Sequence, residues 1–69
     1  MADKNEIADF RVENHGNIFL LAPLGDDSRE ILAELVAEDA QWFGGALVVE
    51  HRYIGDLVAH LQGYGWRVV

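Results

Sequence analysis

The sequence predicts an α/β (α+β) two-layer sandwich, elements in the order β-β-α-β-α-β, with a mixed four-stranded sheet and two helices. Three observations carry this. Residues 18–24 and 46–50 are apolar on both alternating faces, the pattern of strands covered on two sides. Two further stretches repeat their apolar residues at helical spacing: Ile31, Leu32, Leu35 and Val36, then Tyr53 (or Ile54), Leu57, Val58 and Leu61. Turn-forming residues separate these blocks, at Asn14-His15-Gly16-Asn17, at Gly25-Asp26-Asp27 and around Gly63 and Gly65.

Residues 1–9 read as a flexible arm with only Ile7 to anchor it, and residues 10–69 as a single domain. Phe10 and Val12 alternate with Arg11 and Glu13, as in a half-buried edge strand. Gly16 supplies a positive φ for a hairpin into residues 18–24, whose regular pairing should end near Pro23 because that residue has no N–H to donate. A first helix is expected from about Ser28 to Ala37 or Ala40, with Asp27 and Glu30 at capping-box spacing. Residues 41–45 read as a connection, 46–50 as a central strand, and Arg52 or Tyr53 as the start of the second helix. Gly63 suits the C′ position, and residues 66–69 form a short last strand. The right-handed crossover rule places Leu47–Val49 parallel to Val68. If both helices cover one sheet face, Phe19, Leu21 and alternate residues of 46–49 are left on the other; one helix on each face would cover everything. The first arrangement is favoured, and it predicts a homodimer or a partner-binding sheet face.

At 69 residues the chain holds one domain and buries only about 60% of the surface its unfolded form exposes. It has no Cys, so stability must come from packing or from oligomerisation. Twelve acidic against five basic residues give a net charge of −7, which argues against direct binding to a phosphate backbone. The same charge favours solubility and attraction to basic surfaces. Residues 1–10 lack an apolar signal-peptide core and residues 18–24 are too few to span a bilayer, so a cytoplasmic protein with no membrane partner is expected.

Chemistry-bearing residues are sparse. His15, His51 and His60 share no ligand spacing, and adjacent Glu50 and His51 would point to opposite sides of a strand. Ser28 is the sole Ser, Thr and Cys are absent, and no Gly-x-Ser-x-Gly elbow surrounds it. Gly44-Gly45 precedes a strand, whereas a phosphate loop opens a helix. No catalytic residue, cofactor or metal is therefore assigned, and the chain reads as a binder, not an enzyme. Candidate contact residues are the acidic ridge Asp26, Asp27, Glu30, Glu34 and Glu38, extended by Asp39, together with Trp42, Arg52 and Tyr53. A solvated helix face is the plainer meaning of such a ridge; the sharper one is a surface presented to a basic partner. Most of the aromatics should be core, with Trp42 or Tyr64 at least partly exposed.

Residues Val12-Glu-Asn-His-Gly16, Pro23-Leu24, 39–50 (Asp-Ala-Gln-Trp-Phe-Gly-Gly-Ala-Leu-Val-Val-Glu), Arg52-Tyr53 and Gly65 resemble a pattern in short, mostly uncharacterised proteins encoded by bacteriophages, prophages and plasmids of bacteria. The resemblance covers most of the chain and contains no enzyme motif. It implies a mobile-element accessory protein. By analogy of size, charge and origin it implies an inhibitor of host defence, anti-CRISPR or anti-restriction in kind. The alternative is an oligomeric structural domain whose acidic face serves solubility alone.

Overall fold

Residues 8–69 are described by the computed structural model. They form β1 (Phe10–Asn14), β2 (Ile18–Pro23), α1 (Asp26–Leu35), β3 (Trp42–Phe43), β4 (Ala46–Glu50) and α2 (His51–Gly63). The four strands make one sheet in the order β1-β2-β4-β3, every neighbouring pair antiparallel. The α+β class holds. The arm expected over residues 1–9 lies outside the described residues except for Ala8 and Asp9. Asp9 is tied down: its N–H donates to the Arg67 carbonyl at 2.9 Å, and its carboxylate accepts the Arg67 N–H at 2.8 Å.

The β1–β2 hairpin forms as expected. Gly16 sits at φ 86°, its N–H donates to Asn14 Oδ1 at 2.9 Å, and the pairing runs from Asn14 opposite Phe19 to Phe10 opposite Pro23. Residues 41–45 are more than a connection. Gly44 and Gly45 stand at φ 57° and 82°, the two positive angles of a type I′ turn, and fold Trp42 and Phe43 back on Leu47 and Ala46.

That hairpin overturns the expected parallel pairing of β4 with Val68. β4 has β2 on one side and β3 on the other, so neither edge is open. Residues 66–69 run instead along the free edge of β1, where Val68 makes a parallel bridge to Phe10 and the Val69 N–H donates to the Phe10 carbonyl at 3.0 Å. The sheet's parallel component exists, at its other end.

Helix α1 begins two residues before the expected start and ends at Leu35, short of Ala37. Asp27 and Glu30 do not form the capping box. Gly25 is the N-cap, its N–H donates to Ser28 Oγ at 3.0 Å, and the Ser28 hydroxyl donates back to the Gly25 carbonyl at 2.9 Å. Ser28 is the buried polar side chain this clasp satisfies. Val36 then turns extended and packs on the core, which stops the helix. Helix α2 starts directly after β4 at His51, one residue before the expected opening, and runs through Gly63. The positive φ belongs to Gly65, at 93°. Its N–H donates to the Gln62 carbonyl and that of Trp66 to the Leu61 carbonyl, a Schellman closure.

Phe10, Leu21, Leu47 and Val49 share one side of the pleat and form the core with Leu32 of α1 and Ile54 and Leu61 of α2. Both helices therefore cover the same face, the arrangement favoured from the sequence. The residues on the face without helices are the opposite alternates from those expected: Ile18, Leu20 and Ala22 of β2, and Ala46 and Val48 of β4, of which Ile18 is exposed while Leu20 and Ala46 are buried. Phe19 and Leu21 face the helices. No helix among the described residues is long and apolar enough to cross a membrane.

Candidate functional site: two opposed surfaces

Two surfaces lie on opposite sides of the sheet, and the sequence candidates divide between the helix layer and its rim. Asp26, Asp27, Glu30 and Glu34 are exposed along α1, with Arg29 bonded to Asp26 at 3.1 Å as the basic residue among them. Asp26 and Asp27 occupy the first turn, where the helix dipole favours carboxylates. Glu38 and Asp39 are also exposed but stand in the turn after α1, so the ridge bends off the helix at its end.

The aromatic candidates do not join this ridge in one patch. Trp42, 43% exposed, sits on β3 opposite Leu47, on the helix side of the sheet and at its edge. Arg52 and Tyr53 stand at the far end of β4, in the first turn of α2. There the Arg52 guanidinium lies 4.9 Å from the Tyr53 ring centre and 3.3 Å from the Glu50 carboxylate. At about 3.4 Å per residue, β4 separates them from Trp42 by roughly 10 Å or more. Tyr64 is 71% exposed, edge-on to His60 at 4.9 Å.

The bare sheet face supplies residues that sequence reasoning passed over. Phe43, 68% exposed, borders a groove of about 310 Å³ lined by His15, Ile18, Leu20, Gln41 and Val48. Three cross-strand pairs lie along this face: Ala46 beside Phe43, Leu20 beside Val48, and Ile18 beside Glu50. The available signal was Gly44-Gly45 between aromatic and apolar residues, a two-residue hairpin loop that puts Phe43 in register with Ala46.

Charge at the edges of this face is balanced. Arg11 and Glu13 alternate on β1, 3.7 Å apart, and Arg52 answers Glu50. His15 Nε2 lies 3.1 Å from Glu13. Among the described residues a depression of about 440 Å³ lies at the α1 N-terminus. Asp9, Asp26 and Asp27 line it, and those carboxylates disfavour the anion a helix N-terminus otherwise attracts. Among the described residues no group of three or more His, Cys, Asp or Glu is placed to hold a metal ion. Comparisons with protein-family models, with curated proteins and with solved structures find no match to this chain.

Proposed function

We propose that this chain is a small acidic accessory protein of a mobile genetic element, working in the cytoplasm by binding a basic-surfaced protein through the α1 side. The observation that carries the reading is the separation of charge. Asp26, Asp27, Glu30, Glu34, Glu38 and Asp39 all lie exposed on and after α1. The bare sheet face, in contrast, pairs its acids with arginines. Such a one-sided field orients a positively charged partner before contact and speeds its association. A protein that normally holds nucleic acid has a surface of that sign, so occlusion of a host nucleic-acid-handling or defence complex is the concrete form of the function. No catalytic chemistry is assigned.

Immobilised chain challenged with bacterial lysate tests this. A specifically retained protein should be released as salt rises, and the Glu30→Lys/Glu34→Lys variant should retain it at least tenfold less. Equal retention by that variant contradicts the proposal. The bare apolar face supports a second reading, an oligomeric structural domain with no inhibitory role; such a protein would retain nothing in a salt-dependent way.

A further inference from the structure

We infer that the bare sheet face is the docking surface for a second copy of this chain, packed sheet to sheet with the helix layers outward. The inference rests on the face itself and holds whatever α1 binds. Its middle is apolar: Leu20 and Ala46 are buried in its floor, Ala22 and Val48 are half-buried, and Ile18 and Phe43 stand exposed. Its charged border sums to zero, since Arg11 and Arg52 offset Glu13 and Glu50. In a chain of net charge −7 that neutrality is local. A basic partner finds no excess of carboxylate here and is drawn to α1, whereas a second neutral apolar face meets no repulsion.

Two features make the face complementary to itself, as a twofold contact requires. Phe43 projects from one border and stands beside the apolar groove, so knob and hole share one surface. On the other border Arg11 and Glu13 stand two residues apart on β1, and an antiparallel second copy sets each opposite its counter-charge. The acidic ridges then point away from the contact, one on either outer side.

The size of the face sets the strength. Strands about 4.8 Å apart and residues rising about 3.4 Å give a patch roughly 20 Å on a side. That is small beside the ~800 Å² per partner of a standard stable interface, so the dimer is weak, with a Kd on the order of 10–100 µM. Because each copy carries the same net charge, added salt tightens the dimer by screening the outer ridges.

Sedimentation equilibrium of the purified chain from about 5 µM to 1 mM, at low and high salt, tests this. The expected result is a monomer–dimer equilibrium that salt shifts toward dimer. Phe43→Glu and, separately, Ile18→Lys should weaken it at least tenfold, with the thermal midpoint of dilute protein unchanged. Tyr64→Glu, on the helix layer, should leave it intact. A chain that stays monomeric throughout that range overturns the inference. So does a dimer untouched by both sheet-face variants, or one lost in Tyr64→Glu.

Discussion

Three small residues, Gly65, Gly55 and Ser28, respond to substitution by alanine in different ways. Gly65 closes α2 at φ 93°, a conformation that costs an L-residue with a Cβ about 1–2 kcal/mol. Gly65→Ala should lower unfolding stability by about that amount in denaturant titration. Gly55 is the opposite case: it lies inside α2, and a Cβ added there meets nothing within 4 Å. Glycine in a helix interior costs up to about 1 kcal/mol relative to alanine, so Gly55→Ala should raise stability by up to that much. Ser28 clasps Gly25 in both directions while buried, and Ser28→Ala should cost about 1–2 kcal/mol by leaving the Gly25 N–H without its partner. At this scale the sequence was partly legible. Gly16 and Gly65 announced turns because a positive φ nearly demands glycine. Ser28 was masked by Asp27 and Glu30, whose spacing imitates a capping box that starts two residues beyond the real cap.

Among the elements, the apolar periodicities were the legible part. β1, β2, β4 and both helices are where alternation or helical spacing placed them, because burial on one or two faces writes itself into side-chain type. Helix ends were less so. Residues 36–40 keep some helical character in sequence, yet Val36 is drawn extended into the core. The β3–β4 hairpin was the consequential omission. Once Trp42 and Phe43 occupy the edge of β4, residues 66–69 have only the edge of β1 left, and the strand order follows. The two glycines of that turn should therefore matter together. Replacing Gly44 and Gly45 by alanines puts two Cβ atoms at positive φ, and should destabilise the domain by about 2 kcal/mol or more. The single change Gly44→Asn leaves an Asn-Gly pair, the preferred chemistry of this turn type, and should cost little. Thermal melts of the two variants, compared side by side, check this.

For the molecule as a whole, the sheet divides an acidic side from an apolar side whose edge charges are paired. That division was half visible in the sequence. Double-faced strands leave a bare face when both helices share one side, but which alternate residues occupy it depends on register, and one step of slip exchanges the two sets. The acidic candidates were legible as exposed charge, while Phe43 and Ile18 were not, because an exposed and a buried apolar side chain look alike in one sequence. The core itself is thin. Leu32 is fully buried between sheet and helices, and Leu32→Ala should cost about 2–5 kcal/mol, enough to unfold much of a domain this small at room temperature. Far-ultraviolet circular dichroism of that variant would show the loss.

The most direct test of this two-sided arrangement is a dilution series of amide nitrogen–proton NMR spectra on the labelled chain. From about 1 mM downward, through the expected dissociation range, resonances of Ile18, Leu20, Phe43 and Val48 should shift with a single Kd. Those of Glu30, Glu34 and Glu38 should stay fixed. Concentration-dependent shifts centred on α1, with the sheet face unmoved, would contradict it.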